Sequence, residues 1–255
     1  MIGTKQKKVI YVVGMGPGNE KQLTIQAKEI LEQCDVIVGY TVYIDLLRAY
    51  FPEKEFYTTP MKQEIERCRE AFKMAQEGKT VAMVCSGDAG VYGMASPMLE
   101  LLEEFDDIDV QVIPGVTAAL AGSAVLGAPL AHDFAVISLS DLLTPKETIE
   151  KRILCAGQGD FAICIYNPSS KKRSDYLMWA CDLLLTCRSP KTVCAAVRQI
   201  GRDGQKISIM TLEELRTFQA DMFTTIFIGN ESTKQMAGRM VTPRGYRCER
   251  KKDEA

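Results

Sequence analysis

The sequence predicts an α/β protein in two parts, a mostly parallel N-terminal sheet followed by a mixed C-terminal sheet, both with flanking helices. Three observations carry this. Residues 9–13, VIYVV, and 80–85, TVAMVC, are short unbroken apolar runs, the pattern of strands buried on both faces of a parallel sheet. Strand patterns in the first half end in glycine-containing loops that lead into helical patterns. After Gly127 that alternation loosens, and the strand patterns at 207–210 and 224–228 have no long crossover between them.

The first loop, G-M-G-P-G at 14–18, removes the Cβ at alternate positions and lets the backbone approach a bound group. Pro17 stiffens it and withdraws one N–H. The helix expected over 23–32 has Leu23, Ala27, Ile30 and Leu31 on one face. A strand follows at 36–38. A helix over 62–77, with Ile65, Cys68, Phe72 and Ala75 as its apolar face, ends at Gly78. The strand at 80–85 runs into S-G-D-A-G-V-Y-G at 86–93 and a helix at about 96–105. The strand at 110–113 runs into P-G-V-T-A-A at 114–119 and a small-residue helix at 118–126. Ligands sit outside the carboxyl ends of strands in open parallel sheets, so these three loops are expected to line one cleft.

Gly127-Ala128-Pro129-Leu130 reads as a turn. The domains are placed at 1–115 and 116–247, with a charged, disordered tail at 248–255. In the second domain a strand at 134–139 precedes S-D-L-L-T-P. Thr144, Pro145 and Glu147 read as a capping box for a helix through Cys155. Strands follow at 161–166, 193–197, 207–210 and 224–228, and a helix at about 175–187 carries Trp179, the single tryptophan.

Charge and composition narrow the functions. A net charge of −2 gives no global attraction to nucleic acid or an anionic membrane. No apolar stretch approaches the roughly 20 residues of a membrane span. The nine cysteines include no C-x-x-C, and several lie inside strand runs, so neither a disulfide framework nor a zinc site is indicated. A reducing cytoplasm fits this usage.

The glycine loop departs from a dinucleotide-binding fingerprint, because Asn19 stands where the third glycine belongs. The second strand also ends in Gly39-Tyr40 and not in a ribose-binding acid. No loop carries the lysine of a phosphate-cradling motif, and a single histidine, His132, argues against a catalytic metal site. The loops suit a folded organic ligand held by backbone groups, with Asp88, Thr117 and Asn167 as polar anchors. Asp88 can equally cap its own loop, and His132 can be a structural residue beside Asp133.

Taken together, the motifs at 14–18, 86–93 and 114–118, and Y-N-P at 166–168, resemble the tetrapyrrole methylase family. G-A-P-L-x-H-D-F at 127–134, I-S-L-S-D-L-L-T-P at 137–145 and T-P-R-G-Y at 242–246 resemble its carbon-17 methyltransferases of cobalamin biosynthesis, which act on precorrin-3B or cobalt-factor III. The resemblance spans nearly the whole chain in order. It implies the two-domain tetrapyrrole methylase fold (class III methyltransferase), a homodimer, a trough between the domains and S-adenosylmethionine as methyl donor. Carried over by motif, Pro17, Gly87, Asp88, Val91, Tyr92, Thr117, Ala118, Tyr166, Asn167, Val197, Arg198 and Thr225 surround that cofactor, mostly through backbone groups.

The implied substrate is a polycarboxylate tetrapyrrole, for which Arg198, Arg202 and Lys171-Lys172-Arg173 are candidate partners. Methylation with ring contraction needs proton movement and a steadied oxyanion. His132 is the candidate acid/base, with Asp88, Ser138, Ser140 and Asp141 orienting it or the substrate oxygen. No protein-bound metal is expected, and no cysteine-rich iron–sulfur extension of the kind some relatives carry. Lys146 and Pro60 stand where the pattern has tryptophan and glycine. A sibling methylase acting at another carbon and a non-catalytic adenosyl-ligand sensor are the alternatives.

Overall fold

The computed structural model describes residues 8–170 and 172–246. The chain divides into two compact units, one ending at Ala118 and one beginning at Ala119. The tail expected at 248–255 lies outside the described residues.

In the first unit the order is β1 (Lys8–Gly14), a 3-10 turn (Glu20–Gln22), α1 (Ile25–Gln33), β2 (Val36–Tyr40), α2 (Thr41–Arg48), β3 (Glu55–Thr59), α3 (Glu64–Gln76), β4 (Val81–Cys85), α4 (Ala95–Leu102) and β5 (Ile108–Ile113). The five strands stand in the order β3-β2-β4-β1-β5, all parallel. Both faces are covered, which explains the unbroken apolar runs. Ile10, Val12, Val38 and Met83 pack on Phe72, Ala75 and Met98. Val13, Ile37, Ala82 and Val84 pack on Ala27, Leu31, Ile44 and Leu47.

The second unit contains nearly all of α5 (Ala118–Leu126), then β6 (Gly127–Ala128), β7 (Phe134–Ser138), α6 (Lys146–Gln158), β8 (Ala162–Tyr166), α7 (Tyr176–Leu185), β9 (Val193–Arg198), β10 (Lys206–Thr211), α8 (Leu212–Leu215), β11 (Thr224–Ile228), β12 (Lys234–Met236) and β13 (Arg239–Val241). Its main sheet, β10-β9-β11-β8-β7, is mixed as expected. β7 and β8 are parallel, and β11 runs antiparallel to both of its neighbours. A small third sheet, β12-β13-β6, pairs Gly127-Ala128 with Met240-Val241, so the expected turn is a short strand.

Several local readings are corrected. Ile65 is half exposed while Arg67 and Ala71 are buried beside Cys68, Phe72 and Ala75, so α3 is rotated from its expected apolar face. α1 begins at Ile25, after the N-cap Thr24, and leaves Leu23 outside the helix. Thr144 forms no capping box: α6 starts one residue later, behind an extended Pro145 with no side-chain cap bond. α2, β3 and α8 carry no strong signal in the sequence. β3 (EFYTT) has only one buried position, as an edge strand does. Among the described residues no helix is long and apolar enough to cross a membrane.

Candidate active site

In the first unit the three glycine loops meet at the carboxyl ends of β4, β1 and β5, which are neighbours in the sheet. Gly16 and Gly87 form a two-way bridge: Gly16 N–H donates to the Gly87 carbonyl at 3.0 Å, and Gly87 N–H returns a bond at 2.8 Å. The backbones are pressed together so closely that side chains have no place. A Cβ on Gly115 would lie 2.2 Å from the Gly87 oxygen and 2.5 Å from that of Gly14. One on Gly14 would lie 2.7 Å from Gly115 N. Gly87 itself has φ +74° and faces Thr117 and Ala118, whose Cα and N lie 3.6 and 3.8 Å from its Cβ position. The structure therefore brings Gly87, Thr117 and Ala118 onto one patch of bare backbone.

Asp88 locks this arrangement. Its Oδ2 accepts Gly115 N–H at 2.9 Å and its Oδ1 accepts Gly90 N–H at 2.8 Å. One carboxylate thus joins the β4 loop to the β5 loop, a positioning role for a residue the motif nominated for catalysis. Pro17 is buried in the first loop. Thr24 Oγ1 accepts Ala27 N–H at 3.1 Å and donates to the Pro114 carbonyl at 3.2 Å, adding a tie between the first and third loops. Tyr92 is exposed at φ +54°, a backbone conformation uncommon for a residue this bulky. Beneath the loops, burial pushes the Cys85 thiol up to about 11, so it stays protonated and unreactive at neutral pH.

In the second unit, the nominated residues gather at one end of the mixed sheet. Ser138 pairs with Tyr166, and Thr225 pairs with Val197 one residue before the Ile226–Ile165 pair. The Tyr166 hydroxyl oxygen accepts Ala119 N–H at 2.7 Å, at the start of α5. Asn167, at φ +53°, donates from Nδ2 to Ser138 Oγ at 2.9 Å, and the same oxygen accepts Ser140 N–H at 3.2 Å.

Arg198 Nε donates to Asp221 at 2.6 Å. Burial works to raise the Asp221 carboxyl, but bonds from Thr224 and Arg198 outweigh it and hold it below its ordinary value. Arg198 therefore arrives at the sheet edge already paired, and this weakens it as a partner for substrate carboxylates.

Asp141 is held by the Tyr176 hydroxyl, which donates to Oδ2 at 2.7 Å, and by Arg173 at 3.5 Å. The Tyr176 bond is the main cause keeping its carboxyl below the usual range, with Arg173 and Lys146 assisting. An aspartate so held is ionised at neutral pH and cannot serve as a proton donor there. Lys146, where the motif has tryptophan, lies 4.8 Å from the Tyr176 ring centroid and 4.6 Å from that of Trp179. Arg173, proposed for the substrate, spends its guanidinium on Asp141, Ser170 and the Leu139 carbonyl. Lys171 lies outside the described residues.

His132 is exposed, on the loop after β6, with Nε2 2.9 Å from the Pro243 carbonyl. A carbonyl only accepts, so Nε2 carries the hydrogen and the neutral ring offers its lone pair at Nδ1. Sequence reasoning missed Tyr176, Pro243 and Gln22. The first two are marked in the structure by their bonds to Asp141 and His132, and Gln22 by a buried Oε1 with no partner behind the first glycine loop. Among the described residues no group of three His, Cys, Asp or Glu side chains is arranged to hold a metal ion.

Bare backbone at the carboxyl edge of a parallel sheet is where open α/β sheets bind their ligands. The model of the Tetrapyrrole (Corrin/Porphyrin) Methylases matches residues 9–216, and the chain belongs to that family. A Salmonella typhimurium protein named "Probable cobalt-factor III C(17)-methyltransferase" is 44% identical over 93% of this chain and 99% of its own. A Sinorhizobium precorrin-3B C(17)-methyltransferase is 37% identical over 88% and 90%. The crystal structure of the methyltransferase CobJ matches with a TM-score of 0.85 at 35% identity, covering 93% of this chain and all of that one.

Proposed function

We propose that this methyltransferase methylates carbon 17 of a cobalamin precursor, with contraction of the macrocycle, and that cobalt-factor III is its substrate. The observation that carries this reading is the near full-length relationship to a relative named for that reaction, closer than the one to the precorrin-3B enzyme. The geometry supports a cofactor of the expected kind: an edge of exposed backbone at Gly87, Thr117 and Ala118, set by loops so close that a Cβ on Gly14 or Gly115 would collide, and a buried amide oxygen still short of a donor. S-adenosylmethionine, when bound, supplies a methyl on a sulfonium that leaves as a neutral thioether.

The residues of this chain then act by holding. Pro17, Gly87, Val91, Tyr92, Thr117 and Ala118 offer backbone and apolar contact from the first unit, with Asp88 fixing the two loops that carry them. Tyr166, Asn167, Val197, Arg198 and Thr225 are the further cofactor contacts that the family resemblance implies. Alignment of the nucleophilic carbon with the methyl supplies most of the acceleration. Nδ1 of His132 takes or returns the proton that ring contraction moves, while Ser138 and Ser140 steady the oxygen. Asp141 holds their loop. Unpaired thiols throughout the described residues support a reducing cytoplasm, and the family resemblance supports a homodimer.

Anaerobic incubation with methyl-labelled S-adenosylmethionine and, separately, cobalt-factor III and precorrin-3B tests this by mass spectrometry. Label in a ring-contracted product of cobalt-factor III is the expected result. Label only with precorrin-3B moves the substrate, and no label with either overturns the reading. In the same assay His132→Ala is expected to lower turnover by about 10²-fold or more, while S-adenosylhomocysteine still binds.

A further inference from the structure

Among the described residues two arginines are buried, and they are satisfied very differently. Arg188, 9% exposed, forms an ion pair with Asp160 and also donates to the carbonyls of Gly157, Ala156, Phe161 and Gly229. Its charge and its donors are both accounted for. Arg67, only 3% exposed, has neutral partners alone. Its Nε donates to Thr59 Oγ1 at 2.8 Å, its Nη2 donates to the Pro60 carbonyl at 3.1 Å, and its Nη1 meets the Met94 thioether at 3.9 Å.

A guanidinium has five N–H groups, and sulfur is a weak acceptor. Burial pulls the Arg67 guanidinium below its ordinary value, and the charge of Glu64 restores only part of that. Keeping a cation out of water without a carboxylate in contact is costly, a cost that a bound anion would relieve.

The place matters as much as the charge. Thr59 is the last residue of β3, and Pro60-Met61 leave its carboxyl end as an exposed loop. Met94 follows directly on the glycine loop of β4 and precedes α4. β2 alone separates β3 from β4 in the sheet. Arg67 therefore sits on the same carboxyl edge as the glycine loops, two strands along. Met94, which lies over Nη1, is unbranched and has freely rotating bonds, so it moves aside at little cost.

We propose that Arg67 is an anion subsite that receives one peripheral carboxylate of the tetrapyrrole, the Met94 thioether moving off Nη1 as it binds. This rests on the substrate reading given above. The N–H groups left on Nη1 and Nη2 are the paired donors a carboxylate accepts.

The test is anaerobic titration of wild type, Arg67→Met and Arg67→Lys with cobalt-factor III, followed by its visible absorption. S-adenosylhomocysteine binding is measured in parallel by calorimetry, and KM and kcat by product formation. Losing hydrogen bonds to a charged group is expected to weaken macrocycle binding and raise KM about 10- to 100-fold in Arg67→Met. Cofactor binding and kcat should stay within about threefold, and Arg67→Lys should recover part of the loss.

Macrocycle binding within twofold of wild type in Arg67→Met overturns the subsite. So does a loss of cofactor binding in step with macrocycle binding, which marks Arg67 as a structural clamp. If Arg67→Met does not fold, Arg67→Lys decides: weakened macrocycle binding with intact cofactor binding supports the subsite, and unchanged binding refutes it. Wild type that binds S-adenosylhomocysteine but not the macrocycle overturns the substrate reading itself, and the subsite with it.

Discussion

The two units build their candidate functional ends from opposite materials. In the first, the site is made by leaving side chains out: Gly14, Gly87 and Gly115 let three loops touch through backbone atoms, and one carboxylate, Asp88, fastens two of them. In the second, the end of the sheet is made by side chains that hold one another: Asn167 on Ser138, Tyr176 and Arg173 on Asp141, Arg198 on Asp221. The first kind of site has almost no tolerance, because a backbone cannot rotate away from an added methyl group. The second has alternatives, because a side chain that loses one partner can find water or another.

The largest effect expected from this difference is at Gly115. Gly115→Ala places a Cβ at 2.2 Å from a carbonyl oxygen that cannot yield. We expect a loss of about 3 kcal/mol or more in urea unfolding, together with loss of S-adenosylhomocysteine binding. Gly90→Ala is the control in the same loop, since its Cβ would meet only Asp88 Oδ1 at 3.3 Å. Its cost should stay within about 1 kcal/mol. Equal effects at the two positions would show that backbone crowding is not what shapes this edge.

A smaller effect separates the two clamped aspartates. Asp88→Asn presents one amide N–H₂ to a backbone N–H, leaving a donor unpaired at a cost of about 1–3 kcal/mol, read as weaker cofactor binding. Asp141→Asn should cost less, because the Tyr176 hydroxyl can donate to the remaining amide oxygen.

The signature of Asp141 lies in its pH dependence. Its carboxyl is depressed in the folded state, so its contribution is present above the unfolded value and lost as pH falls through the folded one. Below the ordinary carboxylate range, Asp141→Asn and wild type should therefore converge in stability, and above it wild type should be the more stable. Parallel curves across the whole acid range would count against the Tyr176 bond as the cause.

This contrast also explains what the sequence reveals. The glycine loops are legible because their information is local: a buried strand run, then residues with no Cβ, then a helix. Asp88, Thr117 and Ala118 come with them. The second site is less legible, because its ties join residues far apart in the chain. Nothing near Asp141 indicates that Tyr176 will hold it, or that Pro243 will fix the tautomer of His132. Arg67 shows the limit most clearly. On periodicity it belongs to the solvent face of α3, and only the fold reveals that Ile65 takes that face instead.

The smallest comparison concerns two threonines at helix starts. Thr144 carries the cap signature in the sequence, with Pro145 next and Glu147 three residues on, whereas Thr24 falls inside the helix expected over 23–32. In the structure Thr24 is the working cap. It accepts Ala27 N–H and reaches the Pro114 carbonyl at the edge of the glycine loops, whereas α6 begins behind Pro145 with no side-chain cap. Proline at the N-cap position fixes φ at the helix entry and has no N–H of its own to satisfy, and no side-chain oxygen caps the first turn of α6.

Thr24→Ala should therefore cost about 1 kcal/mol, and Thr144→Ala should stay within about 0.5 kcal/mol, both read from denaturant midpoints at constant slope. The second bond of Thr24 adds a further distinction: its loss should weaken S-adenosylhomocysteine binding measurably, since it ties the first loop to the third. A Thr24→Ala protein that is destabilised but binds the cofactor as before would limit that hydroxyl to capping α1 and leave Asp88 as the fastening that matters.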